Sequence, residues 1–189
     1  MIALSPTPIG RLPESHFPAG TGFESVTFRG WKAASLPAWD ERGFLPEGIH
    51  DCPFGELEKR FATNPQRARL WEQFRMFTLW AVSTNKFSYI YLGGGYISSR
   101  SDPRDIDVIL QTRDSFGPDS LRALEPFFSL GLNKISQVFS VHLHFYLHGF
   151  PGIIDFRSFF QYLSPEETKR FDGMGNKKGI VRIDVGSVR

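Results

Sequence analysis

The stretch Tyr89 to Leu110 constrains the fold more than any other. An apolar run, Tyr89-Ile90-Tyr91-Leu92, meets three glycines, Gly93, Gly94 and Gly95. A second apolar run follows within two turns' length of chain and carries Asp105-Ile106-Asp107 ahead of Val108-Ile109-Leu110. Two short apolar runs with a glycine break between them predict two neighbouring core strands. Side chains alternate along a strand, so Asp105 and Asp107 are expected on one face, their Cα atoms ~6.6 Å apart. At an effective dielectric near 20, two such charges repel by ~2.5 kcal/mol. A divalent cation between them would reverse the sign of that interaction. The glycines have no Cβ, so their amides can approach an anion closely. A carboxylate pair beside an amide cradle describes a site for a metal-bound phosphate.

Gly94-Gly95 followed by Asp105-Ile106-Asp107, eleven residues after Gly94, resembles the signature of the nucleotidyltransferase superfamily. Further stretches are similar to a branch of small bacterial nucleotidyltransferase-like proteins: Phe44 to Asp51, Arg60-Phe61, Phe159-Phe160-Gln161 and Gly179 to Ile183. Together they cover about Leu36 to Val185. The resemblance implies a palm of the polymerase-beta kind, α+β, with helices packed on a small mixed β-sheet. It also implies transfer of a nucleoside monophosphate from an NTP to an acceptor, with Mg²⁺ or Mn²⁺. By the same resemblance Asp105 and Asp107 hold the metal, and Gly94 and Gly95 grip the phosphates. The superfamily often has Ser where Gly95 stands, and Ser98 or Ser99 is the substitute hydroxyl here.

A third carboxylate usually completes that metal shell from a neighbouring strand. The matching position here is His144, as ligand or base. An imidazole ligates transition metals or accepts a proton but adds no negative charge. His142 shares its face, so either ring fits, and Asp155 is the other acid considered, with an N-cap as its plainer role. The alternative function is a degenerate nucleotide- or metal-binding partner, such as the antitoxin or accessory half of a bacterial two-protein system. The acceptor stays open between a protein, a tRNA end and a small molecule.

The rest of the chain frames this site. Residues 1–46 hold six of the 13 prolines and no helical period, which predicts an extended arm that wraps the domain or a protein partner. Phe23, Val26, Phe28 and Trp31 are its candidate anchors, and Val26 to Phe28 a short edge strand. The domain proper is expected over 47–189. Asp51 or Cys52 before Pro53 signals a helix start, as does Asn64 before Pro65. From Asn64 to about Thr84, Leu70, Trp71, Phe74, Phe77 and Ala81 make a buried stripe, with Arg67, Arg69, Glu72 and Arg75 expected in solvent. Helical pieces are expected over Asp119–Phe128 and Leu132–Phe139, broken around Pro126 and Gly131. Val141 to Leu147 alternates apolar residues with His142, His144 and Tyr146, the clearest strand pattern present. Ser164-Pro165-Glu166-Glu167 is a capping box, and Ile180 to Val185 a last strand. His50 and His148 are expected in loops.

A net charge of +2 argues against a large nucleic-acid footprint. Arg100, Arg104, Lys177, Lys178 and Arg182 are candidates for a phosphate-steering rim, although solvated charges are the plainer account. Cys52 is the only cysteine, so no internal disulfide forms. No apolar run is long enough for a transmembrane span and no signal peptide is evident, so a cytoplasmic protein without membrane contact is expected.

Overall fold

The computed structural model describes residues 36–115, 117–150, 152 and 154–188. The anchors Phe23, Val26, Phe28 and Trp31, and most of the expected arm, lie outside the described residues. Its last part does not. Leu45 is buried in the main core, its carbonyl accepts from Gly179 N at 2.8 Å, and Trp39 packs against the same core. Residues 36–46 therefore form part of the domain.

A short strand, β1 (Gly48–Asp51), comes first. Four residues starting at a glycine carry no alternation, which is why His50 was expected in a loop. Helix α1 (Phe54–Phe61) follows, entered through Pro53 with no side-chain cap, and buries Phe54, Leu57 and Phe61. Neither Asp51 nor Cys52 caps it: Asp51 belongs to β1 and Cys52 is buried. Helix α2 (Pro65–Ser83) starts as expected, the Asn64 side chain accepting from Arg67 N, and buries the predicted stripe.

Arg67 departs from the expected solvent face. It is buried, and its guanidinium donates to the carbonyls of Phe61 at 2.6 Å, Arg100 at 2.6 Å and Tyr96. A guanidinium has five donors in a fixed fork, so one side chain can tie the end of α1 and the 96–100 segment to α2.

Strand β2 (Phe87–Gly93) pairs antiparallel with β3 (Ile106–Ser115), placing Gly93 opposite Asp107. A parallel strand must follow β3 by a crossover. That crossover holds α3 (Pro118–Arg122), α4 (Glu125–Leu130) and α5 (Leu132–Phe139). Pro126 sits in the first turn of α4, where its missing N–H costs nothing, so it opens a helix instead of breaking one. Gly131, at φ +87°, separates α4 from α5. Strand β4 (Val141–His148) runs parallel to β3, with Asp107 opposite His142 and Ile109 opposite His144. His148 thus ends a strand.

Helix α6 (Phe156–Phe159) is capped by Asp155, and α7 (Pro165–Arg170) by the predicted Ser164–Glu167 box. Strand β5 (Gly179–Asp184) inserts between β1 and β2, giving the order β1-β5-β2-β3-β4. The fold is α+β with a five-stranded mixed sheet.

The sheet has two unlike faces. One carries Ile90, Leu92, Val108, Leu110, Leu143 and Val181 against α1, α2 and α5, and forms the main core with Phe61, Phe74, Phe77 and Phe127. Each fully buried Phe contributes ~1.5–3 kcal/mol relative to exposure. The other face has only a small apolar cluster, Tyr91, Ile109 and Ile180, with Phe156 and Phe160 packed against it. Polar side chains occupy the rest of that face, and the candidate site lies there.

Candidate functional site

Two of the three glycines answer a steric constraint, each a different one. Gly93 faces Phe160: a Cβ would stand 2.8 Å from the ring's Cγ. Gly94 has φ +66°, and a Cβ would overlap Asp107 Oδ2 and lie 2.8 Å from its Cγ. Gly95 needs neither positive φ nor empty space, its nearest prospective neighbour being Arg100 Nη1 at 3.4 Å. The N–H groups of Gly94 and Gly95 donate to no carbonyl or side chain among the described residues. The turn thus lays bare amides beside a carboxylate.

Ser98 serves the turn itself. It is buried, and its hydroxyl donates to Gly95 O at 2.8 Å. Ser99 is exposed, its N–H donating to Gly43 O at 2.8 Å and its side chain lying against the bare face of Gly43. Ser99 lines a polar cavity of about 370 Å³ with Arg42, Arg100, Glu167 and Arg170. Arg42 is spent on Asp40 and on carbonyls of the 174–177 turn. Arg100 has no carboxylate or carbonyl partner for its guanidinium among the described residues, and Arg170 contacts only the Phe171 ring, at 5.2 Å.

Asp107 sits near the start of β3, half-buried. Burial raises its pKa above the ordinary value, and the charge of Asp105 raises it further; His142 and Lys178 work the other way. The expected repulsion between the two aspartates is present, but their placement differs. Asp105 lies on the bend one residue ahead of β3 and is exposed, so strand alternation does not govern it.

Two histidines stand where one was expected. The parallel register sets His142 opposite Asp107, with its Nδ1 3.3 Å from Asp107 Oδ1. His144 follows two residues on and so shares the face. One ligand atom each from Asp107, His142 and His144 lies within 4.8 Å of the others. The His144 ring packs on Phe156 at 4.2 Å and Phe160 at 5.2 Å, and its Nε2 is buried with no hydrogen-bond partner. Burial, with a smaller push from His142, lowers its pKa from 6.5 to about 4, so the ring is neutral at pH 7.

Asp155 is not part of this group. Its carboxylate accepts from Arg157 N at 3.0 Å and pairs with the Arg157 guanidinium at 2.9 Å. Burial opposes its charge, yet these bonds hold its pKa below the usual value.

Of the candidate rim cations, Lys177 pairs with Glu47 at 2.6 Å and Arg182 with Asp51 at 2.6 Å. Lys178 is nearer Asp107. It is buried, donates to Glu167 at 2.9 Å, lies 5.0 Å from the Phe44 ring centroid, and lowers the Asp107 pKa. Arg157 lies on the same face of the sheet. Its guanidinium lies 3.3 Å from the Tyr146 ring centroid and donates to Gln111 Oε1 at 3.2 Å, extending the polar face beyond His144. No sequence pattern marked it; only the sheet order brings Tyr146 and Gln111 together.

The sequence profile of DUF6932, a family of unknown function, matches residues 37–184. The chain belongs to the DUF6932 family. The matched segment spans the glycine turn, Asp105, Asp107, both histidines and Lys178, so the whole site lies within the DUF6932 region. No curated protein and no solved structure matches the chain. Among the described residues no helix is long and apolar enough to cross a membrane.

Proposed function

We propose that this domain binds a nucleoside triphosphate with a divalent cation and transfers its nucleoside monophosphate to an acceptor. The observation that carries the reading is the Gly94–Asp107 contact: a turn with unspent amides is fitted directly onto a half-buried carboxylate. The flanking strands support a nucleotidyltransferase palm, with β3 antiparallel to β2 and parallel to β4.

The residues present fit a divalent cation. Asp107, His142 and His144 converge, and His144 Nε2 is a buried nitrogen without a partner. When bound, such an ion neutralises phosphate oxygens and stabilises charge developing at the attacked phosphorus. The Gly94 and Gly95 amides would hold phosphate oxygens. Arg100 and Arg170, across the polar cavity, would take the far phosphates. An acceptor hydroxyl oxygen would attack the α-phosphorus as the bond to the β-phosphate oxygen breaks and pyrophosphate leaves. Its proton would pass to a carboxylate or imidazole of the site.

A second reading, binding without turnover, is favoured by one observation: the converging group holds a single carboxylate, with Asp105 outside it. Incubation with labelled NTPs and Mg²⁺ or Mn²⁺ separates the two. Pyrophosphate release with label transfer supports the enzyme. Saturable binding without release supports the binding protein, and the absence of both binding and release sinks both readings.

A further inference from the structure

We infer that Asp107, His142 and His144 bind one first-row transition-metal ion, preferring Mn²⁺, Co²⁺ or Zn²⁺ to Mg²⁺. The inference deepens the metal half of the preceding reading and needs no nucleotide.

The grouping follows from the sheet. β3 and β4 are parallel neighbours with Asp107 opposite His142. Successive side chains alternate, so His142 and His144 both face the side that Asp107 faces. The ring centroids of the two histidines lie 4.6 Å apart, and His142 Nδ1 is 3.3 Å from the carboxylate. The three donors thus come from two adjacent strands on one face of the sheet.

The donors also differ in freedom. His144 is held between Phe156 and Phe160, so its ring has one orientation, and Nε2 is left buried and unpaired. In the tautomer that carries its hydrogen on Nδ1, the buried Nε2 presents a lone pair that only a donor or a cation can satisfy. The His142 side chain is 62% exposed and can turn. A rigid nitrogen, a half-buried carboxylate and a mobile nitrogen allow the group to close from 4.8 Å onto an ion. The plainer account, a histidine hydrogen-bonded to an aspartate, explains the contact at 3.3 Å but leaves His144 Nε2 without a purpose.

The donor set determines the choice of ion. Mg²⁺ takes oxygen ligands and dehydrates reluctantly, whereas a nitrogen-containing site binds first-row ions more tightly, with Mn²⁺ the weakest of them and Co²⁺ and Zn²⁺ stronger. Two imidazoles and one carboxylate therefore disfavour Mg²⁺ at this position. Asp105, exposed and outside the group, would be dispensable for holding the ion.

The test is titration of the full chain, free of nucleotide, with Co²⁺, Zn²⁺, Mn²⁺ and Mg²⁺ separately. Calorimetry gives affinity and stoichiometry, and the visible absorption of Co²⁺ reports nitrogen ligation directly. The expected result is one equivalent of Co²⁺ or Zn²⁺, bound at least ~100-fold more tightly than Mg²⁺. His142→Ala and His144→Ala should each weaken Co²⁺ binding by ~10-fold or more and change its spectrum, while Asp105→Asn leaves both within about threefold. Equal affinity for Zn²⁺ and Mg²⁺, no Co²⁺ binding, or an unchanged Co²⁺ spectrum in His142→Ala would overturn the inference. His142 is exposed, so that variant decides the matter even where His144→Ala fails to fold. A chain that binds Co²⁺ as expected but takes no NTP would keep this site and remove the nucleotide reading. NTP binding with Mg²⁺ and no Co²⁺ site would do the reverse.

Discussion

Gly94 and Asp107 are packed so closely that the carboxylate oxygen occupies the space a Cβ on Gly94 would need. The backbone of Gly94 is also left-handed, at φ +66°. The turn and the acid therefore form one device: neither can be altered without moving the other.

The first prediction compares the three glycines. Gly94→Ala suffers both the strain of positive φ, ~1–2 kcal/mol, and a collision with Asp107. It should lower the melting temperature and remove metal binding. Gly93→Ala collides with the Phe160 ring and should loosen α6 over His144. Gly95→Ala meets only the end of a flexible arginine and should cost least in stability. Thermal melts and Co²⁺ titration of the three variants check the order. Equal behaviour of Gly94→Ala and Gly95→Ala would mean that the contact does not constrain the site.

Asp107 should be a stability cost when no cation is present. Its folded pKa is raised, by burial first and by Asp105 second. The folded state then holds the proton more tightly than the unfolded chain does. This contribution is favourable below the unfolded value, 3.8, and is lost as pH rises through the higher folded value. At neutral pH, metal-free Asp107→Asn and Asp105→Asn should each melt at or above the wild-type temperature. A transition-metal ion should raise the wild-type melting temperature but not that of Asp107→Asn. A large metal-free loss in Asp105→Asn would show the two carboxylates to be pairing with something else.

Much of this arrangement is legible in the sequence. The alternation from Val141 to Leu147 marks a strand and sets His142 and His144 on one face. The glycines and Asp107 mark where β2 ends and β3 begins. Asn64-Pro65 and the Ser164 box mark helix starts, because a cap and its proline are local chemistry. What was not legible depends on partners far along the chain. Both histidines, instead of one, lie beside Asp107 because parallel pairing puts His142 opposite Asp107, and pairing register is not a local property. Asp105 falls just outside β3, because strand ends are set by hydrogen bonds to a neighbour and not by the local pattern. Arg67 looked solvated because nothing local shows that Tyr96 and Arg100 bring their carbonyls to it.

Arg67 supplies the third prediction. Arg67→Ala removes a charged donor from three carbonyls, two of the bonds being buried, and should cost ~3 kcal/mol. Arg67→Lys keeps the charge but not the fork, so its loss should be intermediate. Because two of the three carbonyls lie on the segment after the glycine turn, metal affinity should fall along with stability. Urea denaturation and Co²⁺ titration check this. Wild-type stability in Arg67→Ala would show that the three bonds contribute little.

His144 should give the acid limb of the stability profile. The unfolded ring titrates at 6.5 and the folded one at about 4, so the folded state binds fewer protons between those values. Its neutral form favours the fold above pH 6.5, and stability is lost as pH falls from 6.5 toward about 4. Asp107 acts in the opposite sense at the acid end of this range. His144→Phe should retain the contacts with Phe156 and Phe160 and flatten the loss, leaving the Asp107 contribution alone. Urea melts at closely spaced pH values check the slope. His144→Asp should shift the metal preference toward Mg²⁺ by adding an oxygen donor. An unchanged slope in His144→Phe would place the acid sensitivity elsewhere.

The last prediction separates phosphate binding from metal binding. Arg100 and Arg170 line the polar cavity next to the glycine turn, and neither guanidinium has a carboxylate partner among the described residues. Lys178 is different: its ammonium is tied to Glu167 and also acts on Asp107. Removing a free guanidinium should therefore weaken an anionic ligand and leave the metal site alone. Arg100→Gln should raise the Kd for an NTP by ~10-fold, which is ~1.4 kcal/mol, while Co²⁺ affinity without nucleotide stays unchanged. The loss should be smaller for a monophosphate, which does not reach the far end of the cavity, and should shrink at high salt as screening weakens the wild-type attraction. Lys178→Gln should instead weaken both ligands, because it withdraws a positive charge from Asp107's surroundings and leaves Glu167 without its partner. Parallel titrations of NTP, NMP and Co²⁺ on the two variants distinguish these outcomes. Equal losses for NTP and NMP in Arg100→Gln would move the outer phosphates out of this cavity.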